Sequence, residues 1–471
     1  MTDLSTYFQN GVTPIEASIF NAFGGEIQGV LADTVAARND AQAAAEAASA
    51  PADDQIASLV ANPSSESRSQ LDWLYRRGRP FNVLDYGATG DGTTDDLAAV
   101  NSAMSAASAA GGGAVVFPAG LYRISAPLAV PAAVTLIGAA QGSAGIVIGF
   151  PTGDAITLGA LGRVEELTIS VAPGVTRTSG AHVSIDGGQG TVARCSFSGY
   201  YIGIQCGTAS VMCNLPRLFD LQFAGTSTLA GSTGIFLRYI ADARIDQVTM
   251  TGPGTGTQPD SAIRIGAGDT WFISNVNVVA HGVGLLIDTA SGENTYAGQV
   301  VNGMFDGSGP TASGQASGMY VHPSGGVHDL AFANCYFGHS ATQAGAYMTP
   351  DTGGSIQGAH FTGCQFLKNG YSGLTVSGAN VKDWSVVGGV VAGNTNYGID
   401  VSGATTNFVI SNVRIGNVGV HGANNIGINL AAAAQTGYVI ANNIIRGNTS
   451  AAIADSTTGT PSRINTPNLT A

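Results

Sequence analysis

Charged side chains are scarce. They make up 10% of the 471 residues, where roughly 25% is usual. Only Lys368 and Lys382 are lysines, and acidic residues outnumber basic ones 31 to 18, for a net charge of −13. A chain this poor in charge is not a disordered polyelectrolyte. An acidic chain with scattered Arg lacks the basic footprint that binds nucleic acid. No apolar run approaches the ~18 residues that span a bilayer, so no membrane partner is expected. The start, Met1-Thr2-Asp3-Leu4-Ser5, has no basic residue followed by an apolar stretch, so no signal peptide is expected. The five cysteines are an odd number spread over a long chain, which is not a disulfide framework. Glycine is abundant, 67 of 471 residues, but has no three-residue period, which excludes collagen.

Three zones follow one another. Residues 1–50 are rich in Ala and helix formers, and Ile27, Leu31, Thr34, Arg38, Ala41, Ala45 and Ala48 follow alternating four- and three-residue steps. This predicts a helical segment that is either a weak coiled-coil seam or a solvated helix. Residues 51–80 read as a linker. From Phe81 the composition turns to Gly, Val, Ile, Asn, Ser and Thr, and an internal repeat begins. A small residue followed by alternating apolar positions recurs as Gly203-Ile204-Gln205-Cys206, Gly234-Ile235-Phe236-Leu237, Gly284-Leu285-Leu286-Ile287, Gly373-Leu374-Thr375-Val376 and Gly427-Ile428-Asn429-Leu430. From Ala155 to Ala451 it returns about every 27 residues. A second short strand precedes most units, as in Cys195-Ser196-Phe197, Val276-Asn277-Val278, Cys335-Tyr336-Phe337 and Cys364-Gln365-Phe366. Its period of two marks one buried face.

Short strands at each half-period, with no helix between, predict an all-β fold: a right-handed, single-stranded parallel β-helix of about 12 rungs. Cys335 and Cys364 fall at one position of consecutive rungs and are expected to be reduced, buried and stacked. Stacking like on like also accounts for the low charge, because stacked like charges repel.

The segment Phe81-Asn82-Val83-Leu84-Asp85-Tyr86-Gly87-Ala88-Thr89-Gly90-Asp91-Gly92-Thr93-Thr94-Asp95-Asp96 resembles the opening of the pectate-lyase-like β-helix superfamily. So does Gly111-Gly112-Gly113-Ala114-Val115-Val116-Phe117-Pro118-Ala119-Gly120-Leu121-Tyr122. The superfamily includes polygalacturonase-like enzymes, polysaccharide lyases and phage tailspikes. Between the two stretches an Ala-rich helix is expected to cap the apolar end of the coil, with Thr94 and Asp95 capping its N-terminus. The cap is assigned to residues 81–130 and the β-helix to 131–471. An Ala-rich helical zone ahead of this opening resembles a phage tailspike or tail fibre. That resemblance implies a homotrimer in the virion tail, joined to other tail or baseplate proteins through its N-terminus and exposed to the extracellular medium. It implies binding and depolymerisation of a host surface polysaccharide such as capsule, exopolysaccharide or O-antigen. The alternative is a non-catalytic structural or receptor-binding tail protein. Polygalacturonase catalytic motifs are not carried over, since only Ala280-His281-Gly282 approaches one of them. No calcium-ligand Asp cluster stands out, and neither metal nor cofactor is expected.

Scarcity singles out candidate residues. After Glu166 the only Glu is Glu293, in the longest interval between repeat units, from Gly284 to Gly318. The same interval holds Asp306, at a turn whose aligned positions are Ser198, Ala224, Thr251, Val279, Gly338 and Leu367. The next two rungs bring His339 and Lys368 to the neighbouring position, and Tyr371 lies nearby. Glu293 and Asp306 are thus candidates for the acid and base of a glycosidase, and His339 or Lys368 for the base of a lyase. A surface turn held by a salt bridge is the structural alternative. A second column holds Glu166, Asp246, Trp271, Asp329 and Trp384. Its tryptophans either stack on sugar rings or pack against a neighbouring subunit.

Overall fold

The computed structural model describes residues 80–457, without 255, 312, 313 and 432–434, and the backbone of Leu469–Thr470. The helical segment expected over residues 1–50 and the linker after it lie outside the described residues. From Phe81 the chain winds into an all-β parallel solenoid of about 13 turns. The turn beyond the twelve read from the repeat is Leu128–Val130, which pairs in parallel with Ile156–Leu158. It opens on Pro127 rather than on the small residue that marks the later units.

Each full turn carries three strands, and every strand pairs in parallel with its counterpart one turn later. Stack A contains the repeat units: Ile204, Ile235, Ile263, Leu285 and Met319 lie in register and point inward. Stack C contains the second strands. Between them runs stack B, whose inward column includes Leu218, Ile245, Ile273, Val300 and Phe332. The corner from B to C is a single residue in the left-handed region: Glu166, Arg194, Asp220, Gln247, Asn275, Asn302 and Asn334 have φ of 50–56°. One such residue turns the chain sharply and lets the ladder hydrogen bonds resume at once. The α-helix Leu97–Ala109 buries Val100, Ala103, Met104 and Ala107 against the first strands. Its N-terminal residue Asp96 gives no side-chain cap and instead accepts from Thr89 N (2.6 Å) and Gly90 N (3.1 Å). Asp95 Oδ1 reaches Leu97 N at 3.3 Å as expected, whereas Thr94 donates to Asp91.

The core is built of ladders. Phe305, Phe337 and Phe366 stack at 5.5 and 5.4 Å, and Trp384, Phe408 and Tyr438 at 4.6 and 5.0 Å. Cys335 and Cys364 are free, buried and on consecutive turns, as expected. Near the corner from C to A a buried amide ladder runs through Asn369, Asn394 and Asn424. Asn394 Oδ1 accepts from Asn369 N (3.1 Å) and Asn369 Nδ2 (2.9 Å). Its Nδ2 donates to Phe366 O (3.2 Å) and Asn424 Oδ1 (2.9 Å). Each amide therefore supplies a donor and an acceptor that the turning backbone would otherwise bury unpaired.

Two predictions follow from this interior. Asn394→Ala removes these bonds and strands buried partners, so it should cost roughly 2–4 kcal/mol in urea unfolding. An unchanged midpoint would show that water replaces the amide. The second concerns buried imidazoles. Burial holds His182 down to about 3 and His281 to about 4. Below the ordinary value of 6.5 the unfolded imidazole binds a proton that the folded one refuses. Stability should therefore fall as pH drops from 6.5 toward 4. His182→Leu should flatten that limb by up to ~1.4 kcal/mol per pH unit, measured by urea unfolding across the range. An equal slope in the variant would place the acid sensitivity elsewhere.

Candidate functional site

Stack C ends at the corner toward stack A, and the register there matches the sequence reading: Val279, Asp306, Gly338 and Leu367 are successive neighbours. The residue after three of these strands, Ala280, His339 and Lys368, is left-handed, with φ of 58°, 51° and 55°. That conformation swings the His339 ring back over the preceding turn, where its Nδ1 meets Asp306 Oδ1 at 2.7 Å. The Tyr336 hydroxyl lies 3.0 Å from the same nitrogen. Burial and the Asp306 charge push the Tyr336 phenol up to about 12. The absence of a Cβ at Gly338, in register between Asp306 and Leu367, leaves room for the Tyr336 ring, which a Cβ there would push aside. The missing side chain is the slot through which the phenol reaches the imidazole.

With Nδ1 donating to the carboxylate, Nε2 is the basic nitrogen of His339, and Asp306 fixes both tautomer and ring orientation. The cluster holds a base and, in Tyr336, a protonated acid. His339 is half exposed, with side-chain exposure of 50% against 29% for Asp306. Tyr336 and Gly338 were not singled out in the sequence. Their signal is the outward parity of Tyr336 in its strand and a Gly opposite the one acidic turn residue.

The other candidates go elsewhere. Glu293 lies in the connection from stack A to stack B, not at the corner that carries Asp306. Arg238 grips it with two bonds of 2.9 Å, which hold its carboxyl below the usual range. Glu293 lines a separate cleft of about 390 Å³ with Asp269 and Tyr296. The expected pairing of Glu293 with Asp306 in one groove is thus corrected: the long insertion carries Glu293 out of the turn column. Lys368 is exposed one turn beyond His339 and makes no ion pair among the described residues. Tyr371 is exposed at the start of a stack A strand, edge-on to Tyr397 at 5.7 Å.

Trp271 and Trp384 are corrected outright. Both are 1% exposed, inside the coil, so neither presents a face to a sugar or a subunit. Each follows a left-handed residue, Thr270 or Asp383, which resets the in–out alternation and turns the indole inward. Their Nε1 atoms donate to Thr295 and Thr405 at 3.1 and 2.8 Å. The outward column of stack A carries other aromatics, Phe236, Tyr320 and Tyr347; Tyr320 and Tyr347 lie 5.4 Å apart, and Tyr320 stacks on His322 at 5.0 Å. Among the described residues no group of three or more His, Cys, Asp or Glu is placed to hold a metal ion.

The comparisons agree with the fold. The family model described as Rhamnogalacturonase A/epimerase, pectate lyase-like matches residues 80–156, the stretch that carries the resemblance. Mannuronan C5-epimerase AlgE3 of Azotobacter vinelandii is 48% identical over 69 residues, 13% of this chain. The chain spans 4% of the length of that relative. Phage tailspikes are among the similar solved structures. Tailspike protein 3 of bacteriophage CBA120 is 16% identical, with a TM-score of 0.52, over 86% of this chain and 62% of its own. The Dettilon tailspike protein is 15% identical, with a TM-score of 0.51, over 79% of this chain and 67% of its own.

The embrace of Glu293 by Arg238 is structural. Glu293→Gln should lower stability by ~1–2 kcal/mol, the scale of a partly buried charged hydrogen bond. It should leave any glycan cleavage by the chain intact. Loss of cleavage at unchanged stability would restore Glu293 to the chemistry.

Proposed function

We propose that this chain is a phage tailspike or tail fibre that binds a host surface polysaccharide and cleaves it by elimination at Asp306, His339 and Tyr336. Capsule, exopolysaccharide and O-antigen are the substrate classes. On this reading the protein works as a homotrimer in the virion tail, and residues 1–50 join it to other tail or baseplate proteins. The single observation that carries the chemistry is the 2.7 Å contact that orients His339 by Asp306, with the Tyr336 hydroxyl at 3.0 Å. The tailspike neighbours and the epimerase relative support a carbohydrate role.

The steps follow from the groups present. A uronate residue of the glycan sits with its C5–H against His339 Nε2, which takes the proton. The C4–O4 bond breaks with its electron pair going to O4. Tyr336 gives its proton to that oxygen, and the C4–C5 double bond remains in the product. A phenol with a pKa near 12 is protonated at neutral pH and able to donate. Lys368, one turn on, faces the uronate carboxylate and offsets the charge that builds up during proton removal. A two-carboxylate hydrolase is disfavoured because Asp306 is the one carboxylate of this cluster and Glu293 is held by Arg238.

The test is to incubate the protein with host capsule or lipopolysaccharide and follow both new reducing ends and unsaturated-uronide absorbance. Elimination raises both, hydrolysis raises only the first, and a non-catalytic tail protein raises neither. Asp306→Asn should lower turnover by ~10² or more, the scale of an acid–base group, with thermal stability nearly unchanged. Gly338→Ala, which displaces the Tyr336 ring, should lower turnover as well. Full activity in both variants would move the chemistry away from this corner.

A further inference from the structure

The outward column of stack C that ends at Tyr336 continues away from the cluster for several turns. Ser196, Gln222, Thr249, Asn277, Met304 and Tyr336 are successive neighbours in register. At ~4.8 Å per turn the column is about 24 Å long. Its first part floors a groove of about 480 Å³ edged by hydroxyl and amide groups. The parallel outward column one alternation further along each strand is Ser198, Ala224, Thr251, Val279, Asp306 and Gly338. Neither column contains a Lys or an Arg, so the face carries no cation from Ser196 to Gly338.

We infer that this face is the binding track for the glycan cleaved at Tyr336 and His339, and that it takes a run of uncharged sugars. The substrate is then a heteropolysaccharide in which a uronate at the cleavage position is followed by several neutral residues. The inference rests on the elimination reading of the cluster and deepens it. The chemistry of the occupant follows from the lining. Ser, Thr, Gln and Asn both donate and accept, as sugar hydroxyls do. A polymer made only of uronates would lay a row of carboxylates along the face. No cation meets them there, on a chain with a net charge of −13. Lys368, beyond Tyr336 at the far end, is the cation available for the one carboxylate that the chemistry needs.

The test uses the full chain on an array of bacterial capsule and O-antigen glycans, with alginate and polygalacturonate oligosaccharides as homopolyuronate probes. Binding is repeated at 50 and 300 mM salt and with Thr249→Tyr, which fills the groove. Gln222→Ala, at an exposed position, is the control that removes one polar contact without adding bulk. The expected result is binding of heteropolysaccharides with neutral runs, changed less than about 2-fold by salt because few charges are screened. It should be lost by at least about 10-fold in Thr249→Tyr and weakened in Gln222→Ala, with both variants folded by circular dichroism. Preferred binding of the homopolyuronates, a steep salt dependence, or full binding in Thr249→Tyr overturns the track. If such a glycan is still cleaved in an Asp306-dependent way, the track fails and the elimination reading stands. Binding of no glycan by the folded protein overturns both.

Discussion

Every turn of this coil must lie on the turn before it, about 4.8 Å away and in register. A side chain therefore meets its own counterpart along the axis, and only side chains that tolerate their own kind can fill a column. Apolar residues do, as in Leu218, Ile245, Ile273 and Val300. Phenylalanines do by stacking, and asparagines do by passing hydrogen bonds along, as in Asn369, Asn394 and Asn424. Charges do so rarely, as where Arg217 and Arg244 lie in register on consecutive turns. Several are neutralised across turns, as in Arg264 with Asp288 and Arg194 with Glu165 and Glu166. The composition of the chain, poor in charge and rich in small and amide side chains, is the imprint of that constraint.

The corner cluster uses the same constraint in reverse. Asp306, His339 and Tyr336 come together because register places the turns of two rungs side by side and a left-handed residue lets one side chain fold back over its neighbour. Opposite Asp306 the column has Gly338, and the vacant volume is filled by a phenol from the same strand. Unlike groups placed on adjacent turns thus form a cluster, whereas like groups would only have formed another ladder.

Much of this was legible in the sequence. The repeat reports the inward columns directly, so the coil, the stacked cysteines and the alignment of Asp306 with Gly338 and Leu367 could be read. Stack B could not, because its strands run into those of stack C through one left-handed residue, as at Asn275, and no turn signal separates them. The tryptophans were misread because they were grouped with Asp246 and Asp329 by their offset from the repeat unit alone, although Trp271 and Trp384 lie an even number of residues after the inward Ile265 and Val376. Glu293 was misplaced because a long insertion has no register to count from. The amide ladder was visible as Asn at a constant offset after Phe366 and Val391, but its role needed the backbone donors that Asn369 and Asn394 meet.

The central claim is that a glycan lies along stack C with its scissile residue at the corner cluster. A crystal structure of Asp306→Asn with a bound oligosaccharide of the cleaved polysaccharide tests it most directly. The account predicts a sugar chain parallel to the coil axis over Thr249 and Asn277, with one ring beside Tyr336 and a carbon-bound proton facing His339 Nε2. A chain seated on the stack A tyrosines, or in the cleft beside Glu293, would contradict it.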